Sequence, residues 1–172
     1  GMAIAAVKEK PLAALFNPRR RMMAAVEQQL LGSSNPPRVL CLSEYVKGSV
    51  QKYYPLDDAH LPILFNAVDL SRFEAPPQRP PHDQVNALIV AQDFERKGLA
   101  DAIAAVAELR DQPLKLTVVG SDSAGPYRRR AASLGIADRV TFVGGALDPR
   151  PYYREADVFV LPTKHDPCSL VV

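Results

Sequence analysis

A chain of 172 residues, 47% hydrophobic and 23% charged, can hold one well-packed domain, or one domain and part of another, and its composition excludes a disordered or fibrous protein. The net charge of +2 gives no ground for a nucleic-acid partner. No apolar run approaches the roughly 20 residues of a membrane-spanning helix, no signal peptide is evident at the start, and two cysteines without C-x-x-C spacing fit a reduced, cytosolic setting.

In chain order, Pro18 to Leu31 reads as a helix, because Met22, Val26 and Leu30 recur at i, i+4 and i+8. The run Gly32-Ser33-Ser34-Asn35-Pro36-Pro37 stops it. Arg38 to Leu42 (RVLCL) is a short apolar run between turn signals, which predicts a buried strand with Cys41 as a buried thiol. Ser43 stands at an N-cap position with Glu44 in the first turn of a helix running to about Tyr54. Leu61 to Leu64 is a second strand candidate, and Asn66 to Phe73 a turn region. Pro76, Pro77, Pro80 and Pro81 make residues 74–83 a stiff linker and the best domain boundary. The expected division is a remnant of an N-terminal domain with its hinge at 1–73, the linker at 74–83, and a second domain at 84–172.

Past the linker the pattern is regular. Strands are predicted at Asn86 to Ala91, Leu114 to Val119, Arg139 to Val143 and Asp157 to Leu161. Between them come helices at Leu99 to Leu109, Tyr127 to Leu134 (with Gly135 as its αL terminator) and Pro151 to Glu155. Single helices alternating with strands of five or six residues imply an α/β fold, a Rossmann-like parallel sheet with right-handed crossovers. Such sheets bind ligands beyond the carboxyl ends of their strands. The loops after Ala91, Val119, Val143 and Leu161 are therefore expected to line one site, and all four are polar, glycine-bearing or both.

The first of these loops, Gln92 to Gly98, carries Arg96 and Lys97. Arginine offers a rigid fork to phosphate oxygens and lysine a point charge. The bland alternative is a pair of solvated loop cations. The last loop carries His165 and Asp166. Asp166 reads either as an acceptor for sugar hydroxyls or as an N-cap of a helix beginning near Pro167, and His165 either as a ligand contact or as a loop histidine. Backbone N–H groups around Ser169 and Leu170 at that helix start would form a phosphate site. The apolar run that follows reads as an unfinished helix, so a partial chain is expected. Two basic runs, Arg19 to Arg21 and Arg128 to Arg130, read as solvated helix faces, with anionic lipid or phosphate contact as the other reading.

Other chemistries lack their signatures. His60, His82 and His165 have no zinc spacing, and no G-x-S-x-G, G-K-[ST] or G-x-G-x-x-G motif occurs. Asp57-Asp58 reads as an exposed turn rather than a metal site. No metal and no cofactor is expected.

Several of these segments, taken in order, resemble the family 4 retaining glycosyltransferases of the GT-B fold, whose two α/β domains face each other. Leu64 to Phe73 (LFNAVDLSRF) is similar to that family's hinge signature. Gln92 to Gly98 resembles its phosphate-binding loop. Val118-Val119-Gly120, Val140 to Gly144 and Ala156 to Pro162 resemble its later strands. The form Asp93-Phe94-x-Arg96-Lys97-Gly98 is closest to the lipopolysaccharide core glucosyltransferase branch, which uses UDP-glucose.

The resemblance implies that this chain is the C-terminal, donor-binding half of such a fold, incomplete at its end. Arg96 and Lys97 would hold the donor diphosphate, with Gly98 in the same loop. Gly120 would leave room for the nucleotide, and Gly144 and Gly145 would lie against the base. Asp166 stands at the first position of the family's E-x7-E pair; the second would fall past Val172, and Cys168 stands where the family often has Phe. The implied reaction transfers a sugar from a nucleoside diphosphate, UDP-glucose or a similar donor, to a glycan or lipid-linked acceptor with retention, without a metal. The intact enzyme would be cytoplasmic, with peripheral contact at the inner membrane face through Arg19 to Arg21 as a further expectation; this chain alone would bind donor and not catalyse transfer. The alternatives are a GT-B-like nucleotide-sugar epimerase and a non-catalytic nucleotide-binding or interaction domain.

Overall fold

A computed structural model describes residues 17–72, 82–164 and 166. These fall into two compact units that divide between Val68 and Asp69. Most of the expected proline-rich linker lies outside the described residues.

In the first unit, helix α1 (Pro18–Leu31) has the expected bounds. Asn17 caps it, its side-chain oxygen accepting from the Arg20 amide at 3.0 Å, and Pro18 occupies the first turn, where no amide is needed. The expected apolar stripe is on the outside, however. Met22, Val26 and Leu30 are 61%, 44% and 51% exposed, whereas Ala24 is buried and Leu31 packs on the core. Periodicity identified a helical face correctly but not the one that is covered. Helix α2 (Glu44–Gln51) starts as expected, with the Ser43 hydroxyl accepting from the Val46 amide at 3.2 Å. It stops before Tyr54, which instead turns into the core with Leu56.

The two strands expected in this unit reduce to one parallel bridge, Cys41 to Ile63. The Val39 and Cys41 amides donate to His60 and Pro62, and the Leu64 amide donates to Cys41. Cys41 is fully buried, as expected, but its neighbours Leu40 and Leu42 point outward. Alternation along an extended segment sends them to a face that nothing among the described residues covers.

The second unit opens with a 3₁₀ turn (Leu70–Arg72), where Asp69 accepts from both the amide and the hydroxyl of Ser71. The regular part follows: β1 (Val85–Val90), α3 (Leu99–Glu108), β2 (Leu114–Val119), α4 (Gly125–Ser133), β3 (Val140–Gly144), α5 (Arg150–Glu155) and β4 (Val158–Phe159). All four strands are parallel, in the order β3-β2-β1-β4. This is the expected α/β sheet. Ala87 and Ile89 of β1, Leu116 and Val118 of β2 and Val140 of β3 bury one face against Leu99, Ile103, Val106 and Ala131 of α3 and α4. Burying a side chain such as Ile103 contributes about 1.5–3 kcal/mol.

Boundaries shift where local chemistry intervenes. Helix α4 begins at Gly125 rather than Tyr127, since Pro126 suits a first turn. Its terminator is the expected Gly135, at φ +71°. Strand β4 is shorter than its apolar run, because it pairs only with β1, and Pro162 lies three residues beyond it.

The topology has one reversal. From β1 the chain steps outward to β2 and β3, then returns to place β4 on the other side of β1. The crevice beyond the carboxyl ends of β1 and β4 is thus a topological switch point, the usual ligand position in open α/β sheets.

Candidate functional site

The loop after β1 is shaped by one buried ring. Phe94 is 1% exposed and meets Tyr127 edge-on at 5.6 Å between centroids. With Phe94 inserted, Glu95 and Arg96 face outward and Lys97 turns in. Asp93 closes the turn: its carboxylate accepts from the Arg96 amide at 3.0 Å and from Arg96 Nε at 3.2 Å, while its carbonyl accepts from the Lys97 amide. The Arg96 amide, and then its side chain, hold the Asp93 carboxyl below its ordinary value.

Gly98 follows at φ +76°, a backbone conformation that a Cβ would strain. It also lies against the β4 loop, where a Cβ would stand 2.1 Å from the Pro162 carbonyl oxygen. The same approach lets the Thr163 hydroxyl donate to the Arg96 carbonyl at 3.1 Å. Lys97, with its side chain 9% exposed, reaches Asp166, equally buried, in an ion pair. Two charges so far from water cost several kcal/mol each in desolvation, and close pairing offsets this.

The β2 and β3 loops join the cluster. A Cβ on Gly120 would lie 1.8 Å from the Ala91 carbonyl oxygen, so only glycine lets β2 leave the sheet beside β1. The Gly120 amide donates to the Gly144 carbonyl at 2.8 Å, and Gly145 lies beside Ser121. The Ser121 hydroxyl donates to the Gln92 side chain at 2.9 Å, and Asp122 accepts from the Phe94 amide at 2.9 Å. All four carboxyl-edge loops are therefore bonded or packed to one another.

Of the residues singled out from the sequence, Lys97, Gly98, Gly120, Gly144, Gly145 and Asp166 sit in this cluster, and Lys97 and Asp166 touch. Arg96 is in the same loop but has its guanidinium half exposed and turned to Asp93. His165, Ser169 and Leu170 lie outside the described residues. Sequence reasoning passed over Phe94, Asp122, Ser121, Gln92 and Thr163, which lock the loops together. For Asp122, Ser121 and Thr163 the visible signal was an acidic or hydroxyl side chain just past a strand end; Phe94 was visible only within the Asp93-Phe94-x-Arg96-Lys97-Gly98 form, and Gln92 gave no signal.

Two clefts lie away from this edge. One, of about 270 Å³, is lined by Asn86, Leu88, Thr117, Tyr152 and Glu155. The other is at the amino end of the sheet, between the Arg110–Pro113 and Gly135–Arg139 turns. Among the described residues no group of three or more His, Cys, Asp or Glu could hold a metal, and no helix is long and apolar enough to cross a membrane. Asp57 and Asp58 bond instead to His60 and Lys47.

Comparison with known proteins agrees with this architecture. The chain is 32% identical over 106 residues to the lipopolysaccharide core biosynthesis glycosyltransferase LpsE of Rhizobium meliloti (strain 1021), covering 62% of this chain and 29% of that protein. It is 29% identical over 136 residues to a glycogen synthase of Anaeromyxobacter sp. (strain Fw109-5), covering 70% of this chain and 28% of that one. The chain thus spans less than a third of these relatives. Among solved structures, WaaG, a glycosyltransferase involved in lipopolysaccharide biosynthesis, superposes with a TM-score of 0.83 at 24% identity, over 99% of this chain and half of that one. Anabaena HepE, solved in complex with UDP and glucose, gives 0.70 at 14% identity, over 93% of this chain and 46% of that one. The fold is that of the GT-B glycosyltransferases. A sequence profile described as Glycosyl transferases group 1 matches residues 85–172, half of the chain, and the chain belongs to that family.

Proposed function

We propose that this chain supplies the nucleotide-sugar site of a glycosyltransferase that moves a sugar from a UDP-glucose-like donor to a glycan or lipopolysaccharide acceptor with retention. The observation that carries the reading is the convergence at the switch point: a buried lysine and a carboxylate, from the loops after β1 and β4, meet beyond the carboxyl ends of a parallel sheet. The phosphate-facing groups are Lys97 and, on rotation away from Asp93, Arg96. As the bond between the anomeric carbon and the diphosphate oxygen breaks, charge builds on that oxygen, and two fixed cations stabilise it. Helix α3 begins at Leu99, directly after these cations, and its N-terminal dipole adds to the same field. Gly120, Gly144 and Gly145 leave the β2 and β3 loops without side chains where the nucleoside lies. Asp166 accepts hydrogen bonds from sugar hydroxyls. Exposed Arg19, Arg20 and Arg21 at the start of α1 support peripheral contact of the intact enzyme with an anionic inner-membrane face.

Calorimetric titration of the chain with UDP, UDP-glucose and GDP-mannose tests the reading. Lys97→Ala weakens UDP binding by about tenfold to a hundredfold, the loss of one charge-assisted hydrogen bond, and leaves uridine binding unchanged. Failure of the wild-type chain to bind any of the nucleotides contradicts it and leaves a non-catalytic interaction domain as the reading.

A further inference from the structure

Lys97 already has an anion. Its ammonium is paired with Asp166, and both side chains are 9% exposed. A diphosphate cannot take that ammonium at contact distance while the carboxylate keeps it, because two anions around one buried cation repel each other. We infer that Asp166 is an internal counter-anion that occupies the phosphate-binding lysine when the donor site is empty, gives it up to an entering diphosphate, and takes it back as the nucleoside diphosphate leaves. This inference rests on the donor-site reading above and adds an exchange step to it.

The geometry says which partner moves. The lysine backbone is held: its amide donates to Asp93, Phe94 is buried beside it, and Gly98 is wedged under Pro162. Asp166 lies seven residues past the end of β4 and outside any strand or helix. The carboxylate is therefore the partner that swings, and its release frees it for a hydroxyl of the sugar. Exchange also has a direction. Nucleoside diphosphate without its sugar carries more charge than the donor, so it competes hardest with the carboxylate for Lys97. An anion waiting to reclaim the lysine speeds departure of the product.

The test compares UDP and uridine binding to the wild-type chain, Asp166→Asn and Asp166→Ser by calorimetry, with folding checked by circular dichroism. Both neutral variants bind UDP about tenfold tighter, at the low end of measured couplings between close charges. Uridine binding does not change, and the gain disappears when Lys97→Ala is added. In the wild-type chain, the Asp166 carboxyl carbon resonance moves on addition of UDP and stays still with uridine, a readout that needs no substitution. UDP binding that is unchanged or weaker in the folded neutral variants overturns the inference, as does a gain that survives Lys97→Ala or a carboxyl resonance that UDP leaves in place. Wild-type chain that binds no UDP overturns the donor-site reading itself, which is a separate outcome.

Discussion

The two units use similar segments to different effect. In the second, apolar strand residues find helices on one face, the central strands β1 and β2 have neighbours on both sides, and among the described residues fourteen from Ala87 to Val140 form one core. Among the described residues of the first, six buried side chains gather around one parallel bridge, and Met22, Val26, Leu30, Leu40 and Leu42 are exposed. Apolar periodicity is present in both. Among the described residues, what differs is whether a facing element receives it, and burial, not periodicity, gives the stability.

Substitutions probe this difference between the units. Gly120→Ala drives a methyl into the Ala91 carbonyl, destabilises the second unit by on the order of 3 kcal/mol and splays the β1 and β2 loops. Urea unfolding followed by a probe in this unit measures it; wild-type stability would mean that the loops are not in contact. Ile103→Ala empties a fully buried position and costs about 2–5 kcal/mol, whereas Met22→Ala on the exposed side of α1 stays within about 0.5 kcal/mol. Equal losses would show that α1 is covered after all. The smallest effect is on the acid side. Arg150 beside Asp148 holds its carboxyl down at about 2. The folded value lies below the ordinary 3.8, so the contribution is present above that pH and is lost as pH falls toward 2. Asp148→Asn removes this part of the acid dependence and lowers stability at neutral pH only slightly, because solvent screens a pair at the surface.

Much of the second unit was legible because short apolar runs ended at glycine or proline. Val119 before Gly120 and Val143 before Gly144 marked strand ends to within a residue, and Gly135 marked a helix end. The strand order was not legible, since placing β4 beside β1 depends on crossover direction rather than on any residue in β4. Nor were the locks around the site. Asp122 and the Phe94 amide are 28 residues apart, and Ser121 and Gln92 are 29 apart. The pairing of Lys97 with Asp166, across 69 residues, followed from the parallel topology, which brings all strand ends to one edge. In the first unit, RVLCL looked like a buried strand because five apolar-rich residues carry no record of whether a second layer covers them.

On the donor-site reading, the carboxyl edge of this sheet receives a nucleoside diphosphate, and neither the cleft at Asn86 and Tyr152 nor the one at the amino-end turns does. Amide chemical-shift mapping with UDP distinguishes these locations. Shifts are expected at residues 92–98, 120–122, 144–145 and 162–166, with residues 110–113 and 135–139 silent. Shifts centred on the amino-end turns, or on the groove between Asn86 and Tyr152, would contradict it.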